Sequence, residues 1–408
     1  MILEIIQKKR LGKELSYQEL DYFFNGYLNG DIKDYQMSSL LMAICIQGMT
    51  DEEVFSLTKI FIDSGEILDF SNIPGIKVDK HSTGGIGDKT TLVIVPIVAS
   101  LGIPVVKMSG RGLGYTGGTI DKLESIPGYR IDLSEKEIEK QVKEVGAVIT
   151  GQTKSLVPMD KIIYALRDVT GTVSSIPLIT SSIMSKKIAS GADKILIDIK
   201  VGKGALLQTK QEANQLKDFM IRIGKMYQRE VRCVISDMNT PLGRCIGNSL
   251  EVLEAIDVLK GKEKDSPFTE LCISLATDMV SMAKNISDEE ARKQVLDVLE
   301  SKEAYHKFLE IVEHQGGNVE KIRVSDKKVY IRSPKNGVIE KIDALSFGKL
   351  ALSFGAGKMK LEDKIDYTVG VRLHHFVGEK VKKGEILATL YVKKSVSNLK
   401  IDDFYIII

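Results

Sequence analysis

Cysteine is scarce in this 408-residue chain, and the four present, Cys45, Cys233, Cys245 and Cys272, lie far apart. No two stand at C-x-x-C spacing, so neither a zinc site nor a disulfide framework is indicated, and reduced, mostly buried thiols are expected. Charge of one sign is also missing. The 57 basic and 55 acidic residues leave a net charge of +2, too little for a field that attracts nucleic acid or a membrane surface. Nor is there a long hydrophobic run: the most apolar window, Leu92 to Val106, is broken by Pro96, Gly102 and Pro104 and is too short to span a bilayer. Acidic and basic residues within the first ten positions are unlike a secretory leader, so a cytoplasmic protein is expected. Internal repeats and low-complexity segments are absent. The remainder, 43% hydrophobic and 27% charged, fits a soluble chain with two or three domains and a substantial core.

Glycine, by contrast, is concentrated. The stretch Ser109-Gly110-Arg111-Gly112-Leu113-Gly114-Tyr115-Thr116-Gly117-Gly118-Thr119-Ile120-Asp121-Lys122-Leu123-Glu124 carries five glycines among hydroxyls and charges. It follows, after Lys107-Met108, the apolar run Ile103-Pro104-Val105-Val106, which reads as a buried strand. Glycine lets backbone approach a ligand closely, and Ser109 and Thr119 place hydroxyls at the two ends of the loop. A second such loop, Val78-Asp79-Lys80-His81-Ser82-Thr83-Gly84-Gly85-Ile86-Gly87-Asp88-Lys89-Thr90-Thr91, leads into the apolar stretch from Leu92 to Val98. Backbone N–H groups at a helix start bind oxyanions; Lys80 adds charge, and Ser82 and Thr91 add donors. Both loops suit phosphate. In the upstream loop Gly-Asp-Lys-Thr has Asp88 where a Walker loop needs glycine, and no G-x-G-x-x-G is complete there, so a nucleotide cofactor is disfavoured.

The pattern along the chain divides it. Residues 1 to about 66 read as helices, with capping boxes at Ser16–Glu19 and Thr50–Glu53 and a core face at Met37, Leu40, Leu41 and Ile44. From 67 to 155 and 191 to 327 strands alternate with helices: β-rich runs at Val105–Met108, Ala147–Thr150, Lys194–Val201 and Arg232–Met238, and capping boxes at Ser134–Glu137 and Thr209–Glu212. That alternation predicts an α/β sheet. Residues 156 to 190 return to helical character and are expected to pack on the N-terminal helices as one all-α domain. Residues 328 to 408 read as a small C-terminal β-rich lobe.

Within this frame a few residues could carry chemistry. His81 is the only histidine before residue 306 and lies in a glycine loop beside Lys80, so a polar group aimed at substrate is favoured over a solvated one. Tyr164 and Arg167 share a helix face, as do Ser182 and Lys186; they are either a solvated charged face or a basic site for a leaving group that gains negative charge. Carbonyls of the turn Pro241-Leu242-Gly243-Arg244-Cys245-Ile246-Gly247-Asn248, with Glu251 and Glu254 beyond it, could hold a monovalent cation, although ordinary helix-start loops look the same. His374 and His375, with no metal-spaced partners, read as surface residues.

Together these residues resemble the thymidine and pyrimidine-nucleoside phosphorylases. Ser109 to Glu124 matches that family's signature and Lys80 to Asp88 its phosphate loop. The resemblance runs from Asp34-Tyr35-Gln36-Met37 through Asn248-Ser249-Leu250-Glu251 and Gly355-Ala356-Gly357 to the C-terminal lobe. It implies a small all-α domain hinged to a larger α/β domain with a mixed sheet, a cleft between them, and reversible phosphorolysis of pyrimidine nucleosides by a homodimer. Lys80, His81, Ser82, Thr91, Lys107, Met108, Ser109 and Thr119 correspond to phosphate contacts. Tyr164, Arg167, Ser182 and Lys186 correspond to base contacts, with His81, Arg167 and Lys186 catalytic. Gly87, Lys89, Leu242, Cys245 and Glu254 correspond to a potassium site, where Lys89 replaces a usual threonine and offers only its carbonyl. Tyr115 replaces a frequent histidine at a place with no assigned chemistry. Lys107 resembles the broad-specificity members, where an ammonium facing a ribose 2′-hydroxyl makes uridine acceptable beside thymidine. The rival readings are a thymidine-restricted phosphorylase, a related phosphoribosyltransferase, for which no Asp/Glu-rich metal motif is evident, and a non-catalytic nucleoside-binding protein.

Overall fold

The computed structural model describes every residue except Leu113, Thr116, Lys154, Leu361, Glu362, Ser395, Ser397 and Asn398. Leu113 and Thr116 of the glycine-rich signature therefore lie outside the described residues. The chain opens with helices α1 (Ile2–Arg10), α2 (Tyr17–Leu28), α3 (Asp34–Gln47) and α4 (Asp51–Asp63). Alternation follows: β1 (Val78–Ser82), α5 (Thr90–Ser100), β2 (Val105–Ser109), α6 (Thr119–Glu124), α7 (Glu135–Val145) and β3 (Ala147–Gly151). Next come α8 (Pro158–Thr170), α9 (Ile176–Ala189), β4 (Lys194–Val201), α10 (Lys210–Met226) and β5 (Glu230–Asp237). The short β6 (Cys245–Ile246) leads to α11 (Asn248–Leu259), α12 (Pro267–Lys284), α13 (Asp288–Glu300) and α14 (Glu303–His314). The C-terminal part holds β7 (Lys328–Arg332), β8 (Gly337–Ile342), α15 (Ala344–Ser353), β9 (Gly370–Leu373), β10 (Lys380–Val381), β11 (Ile386–Tyr391) and β12 (Tyr405–Ile407).

The chain forms two compact units, one of Met1–His81, Gln152–Ile197 and Thr209–Cys233, the other of Ser82–Gly151, Asp198–Gln208 and Val234–Ile408. Strands β1, β4 and β5, hydrogen-bonded in the order β1-β4-β5, each give residues to both.

In the first unit the helices start where the capping boxes stand, at Ser16–Glu19, Thr50–Glu53 and Thr209–Glu212. Each hydroxyl accepts from the N3 backbone N–H while the glutamate accepts from the cap, which satisfies two otherwise orphaned donors. Met37, Leu40, Leu41 and Ile44 are fully buried on α3. Helix α4 packs on α2 and α9, and α9 on α10. The break between α8 and α9 falls at Gly171, whose φ of 69° supplies a left-handed cap. One buried carboxylate ties this bundle: Glu53 accepts from Lys9 Nζ (2.8 Å), Leu15 N (2.8 Å) and Thr50 N (2.9 Å). A buried pair of this kind is costly to break from one side.

The second unit centres on α5, buried at every residue from Thr90 to Ala99 and packed against α12 and α14. A helix apolar all round belongs in a core. Among the described residues no helix is long and apolar enough to cross a membrane. Beside α5, β2 and β3 pair in parallel with Lys107 opposite Ile149 and Ser109 opposite Gly151. The C-terminal strands form two antiparallel sheets in the orders β10-β8-β12 and β6-β9-β11-β7. Through β6, whose Cys245 lies opposite Arg372, the second sheet holds the turn that precedes α11. All four cysteines are free thiols; Cys245 and Cys272 are buried and the other two half-buried.

Candidate active site

The upstream loop is shaped by its own polar groups. Lys80 is buried on β1 and His81 is half-buried. Ser82 Oγ donates to Asp88 Oδ2 and accepts from Gly84 N (3.1 Å). Asp88 Oδ1 takes the Thr90 N–H (3.2 Å) and hydroxyl (2.7 Å), fixing the entry to α5, whose first turn carries Thr91. Thr83 is held by Asp198 and β4: its N–H reaches Asp198 O at 3.0 Å, and its Oγ1 accepts from Lys200 N at 2.8 Å. A Cβ at Gly85 would stand 2.5 Å from Met238 Cε, so the methionine side chain packs directly on this glycine.

The second loop is closed on itself by Asp121. Its Oδ2 accepts from Gly112 N (2.7 Å) and Gly118 N (3.2 Å), and its Oδ1 from Arg111 Nη1 (3.2 Å). Arg111 also grips Glu124 through both guanidinium arms, one at 2.8 Å. That contact and the Tyr367 hydroxyl at 3.1 Å hold the Glu124 carboxyl below its usual range, Arg111 being the largest cause and burial opposing it. Lys107, Met108 and Ser109 arrive on β2, all buried, with Lys107 Nζ donating to Met108 O at 3.1 Å. Thr119 is the first residue of α6. Gly112, Gly114 and Gly117 do stand at G-x-G-x-x-G spacing, but α6 is only 6 residues long, and Asp121 occupies the N–H groups of Gly112 and Gly118.

In the first unit α8 and α9 bring four residues together. Arg167, 1% exposed, donates Nε to Thr172 O (3.1 Å), Nη1 to Leu178 O (3.2 Å) and Nη2 to Val173 O (2.7 Å). Its guanidinium and the Lys186 ammonium lie 5.7 and 6.0 Å from the Tyr164 ring centre. Lys186 Nζ donates to Asp160 Oδ2 (2.8 Å) and Ser182 Oγ (3.1 Å). Burial lowers the Arg167 pKa, with Asp160 pulling the other way, and burial raises that of the Tyr164 phenol. Both cations thus lie within cation–π range of the Tyr164 ring.

The turn before α11 surrounds a different cation. Lys89 folds back so that Nζ meets Gly87 O (3.0 Å), Leu242 O (2.6 Å), Cys245 O (3.1 Å) and Glu254 Oε2 (2.7 Å). The side chain is 0% exposed. Its charge persists: burial works against it most strongly, but Glu254 and Glu251 outweigh burial and the pKa rises. Nearby, Lys122 Nζ donates to Asp88 O (2.6 Å) and Gly117 O (3.0 Å) and pairs with Glu251 (3.1 Å), linking the two glycine loops to α11.

Three family models cover the chain: the glycosyl transferase family helical bundle domain at residues 3–65, the glycosyl transferase family a/b domain at 75–305, and the pyrimidine nucleoside phosphorylase C-terminal domain at 338–403. A pyrimidine-nucleoside phosphorylase of Staphylococcus haemolyticus is 49% identical over 96% of this chain and 92% of its own. The chain belongs to the pyrimidine-nucleoside phosphorylase family. A second such phosphorylase, from Bacillus subtilis, is also 49% identical, with the same coverage. The fold is shared more widely: anthranilate phosphoribosyltransferase of Thermus thermophilus matches with a TM-score of 0.61 over 76% of this chain and 99% of its own, at 17% identity.

Against the family's pattern, Ser82, Thr91, Lys107, Met108, Ser109 and Thr119 lie in the second unit. Lys80, His81, Tyr164, Arg167, Ser182 and Lys186 lie in the first. Sequence reasoning missed the groups that hold these residues in place: Asp160, Asp121, Lys122, and the buried pair Asp198–Lys200 at 2.6 Å. The last had a visible signal, since two charges two apart inside the apolar strand β4 must face the same way. The potassium ion expected from the resemblance does not fit. Gly87, Leu242, Cys245 and Glu254 do converge, but the Lys89 ammonium, not its carbonyl, fills the space they enclose.

Proposed function

We propose that this chain catalyses reversible phosphorolysis of pyrimidine nucleosides, giving free base and ribose or 2-deoxyribose 1-phosphate. The observation that carries this reading is the cluster of Arg167 and Lys186 over Tyr164, on a chain of this family. Phosphate is held by Lys80, Ser82, Thr91, Ser109 and Thr119, aided by N–H groups at the start of α5. A phosphate oxygen bonds to C1′ as the bond from C1′ to the base nitrogen breaks, and the electron pair leaves with the base. Arg167 and Lys186 stabilise that developing anion, and His81 supplies a hydrogen bond or a proton at a base oxygen. Fixing both reactants removes much of the entropic cost of encounter. No step passes through a metal ion.

The test is release of uracil from uridine and thymine from thymidine, with and without phosphate. Phosphate-dependent cleavage is expected for both, and for 2′-deoxyuridine. Release of neither by folded protein sinks the reading and favours a transferase or a binding protein. Lys107→Met is expected to lower kcat/KM for uridine about 10- to 100-fold, the worth of a hydrogen bond to a charged group, with a smaller loss for thymidine. Equal losses on both nucleosides remove the 2′-hydroxyl role.

The enzyme is proposed to be a cytoplasmic homodimer joined through its first helices. On α1 and α3 the inward residues are used up in the protomer, whereas Leu3, Tyr35, Met42 and Ile46 stand exposed, Ile46 at 73%. Light scattering is expected to give about twice the 45.1 kDa chain mass; a monomer at micromolar concentration rejects this interface.

A further inference from the structure

We propose that the Lys89 ammonium is a built-in cation at the junction of the phosphate loop and the 241–246 turn, so that this chain needs no bound monovalent metal ion. Four oxygens from Gly87, Leu242, Cys245 and Glu254 face one point at 2.6 to 3.1 Å, and Nζ stands at that point. The three carbonyl oxygens are turned inward by the backbone. Gly87 and Gly243 have φ of 75° and 76°, the left-handed region that favours glycine, and a Cβ on Gly243 would fall 2.9 Å from Nζ. The Phe268 ring closes another side, its centre 4.8 Å from the ammonium, a favourable place for a cation. Nothing is left over for a second one.

Charge counting agrees. Glu254 Oε2 pairs with Lys89, and its carboxylate also accepts from Arg244 N (2.6 Å) and Cys245 N (2.8 Å). Glu251 is already matched by Lys122. A metal ion beside the ammonium would therefore add an unbalanced positive charge to a closed, water-poor site. The consequence reaches the phosphate loop. Gly87 lies between Ser82 and Thr91, and Lys89 pins its carbonyl to the turn that β6 holds in the C-terminal sheet. Lys89 is thus a positioning residue that keeps that loop in place without touching phosphate.

The proposal goes beyond the phosphorylase reading and is read without it, by thermal unfolding. The full chain is exchanged into choline chloride and titrated with potassium at constant ionic strength, in parallel with Lys89→Thr and Lys89→Met. For the natural protein Tm is expected to move by less than about 1 °C, with no change in KM for phosphate. Lys89→Thr removes the only cation paired with Glu254 among the described residues, and is expected to lose several degrees in choline and regain part of them with potassium. Lys89→Met, which fills the space without charge, is expected to be destabilised and unresponsive. A potassium-dependent rise of several degrees in the natural protein overturns the proposal, as does ion density at this junction in thallium-soaked crystals. So does a Lys89→Met protein as stable as the natural one. Should neither variant fold, the titration of the natural protein still decides; and if no phosphorolysis is detected, the unfolding data stand while the reaction assignment falls.

Discussion

Arg167→Ala is expected to lower kcat for uridine phosphorolysis by about 10²- to 10³-fold, the usual cost of removing one group that stabilises transition-state charge. Two effects are mixed in that number. The guanidinium also binds the carbonyls of Thr172, Val173 and Leu178, so its loss leaves buried acceptors unpaired and costs about 1–3 kcal/mol of stability for each one that water does not reach. The leaving group separates the two. If Arg167 stabilises the departing base, the deficit shrinks with a nucleoside whose base is a weaker base, such as 5-nitrouridine, because less charge then needs stabilising. If Arg167 only shapes the turn between α8 and α9, the deficit is the same for every base. Circular dichroism and a Tm on the same preparation establish that the variant is folded, and near-normal turnover by such protein removes Arg167 from the mechanism.

The residues proposed to carry the chemistry were legible because each had a local signature. A glycine run after a strand marks a loop that approaches a ligand, and residues three or four apart on α8 or α9 share a face. The helix starts followed from the same kind of short-range rule, and all four capping boxes form. What stayed hidden are partners set by packing. Asp160 meets Lys186 across 26 residues, and no spacing rule connects them. Glu251 and Glu254 stand three apart on one helix, yet each takes a different lysine, Lys122 and Lys89. Lys89 is the clearest case. From the sequence a lysine in a potassium site reads as a defect, because only its carbonyl can bind a metal ion. The side chain instead folds back on its own loop and brings the charge with it. Helix α10 shows the same limit at a larger scale: it alternates with β4 and β5 as a crossover helix would, but packs with α4 and α9 in the helical unit.

Gly118→Ala should be more damaging than its half-buried, loop-like surroundings suggest. Gly118 has φ of −82° and ψ of 153°, a conformation any residue adopts, so backbone strain is not the issue. Space is. A Cβ there would lie 2.1 Å from Gly112 N and 2.4 Å from Arg111 C, both main-chain atoms that no rotamer change can move aside. The 110–112 segment has to withdraw from the start of α6, and the Asp121 carboxylate then cannot bond Gly112 and Gly118 together. That carboxylate ties together the loop that runs from Ser109 on β2 to Thr119 on α6, the two hydroxyls proposed to bind phosphate. A displacement near 1 Å is enough to cost about 10²-fold in a positioned reaction. The expected result is therefore a loss of about that size in kcat/KM measured at limiting phosphate. Protection against thermal unfolding by phosphate, which scales with the ratio of its concentration to Kd, is expected to vanish at the same time. Asp121→Asn keeps the shape of the clamp but weakens it, and should fall between the two. If Gly118→Ala binds phosphate as tightly as the natural protein, the loop yields without disturbing the site, and the two hydroxyls do not act as a fixed pair.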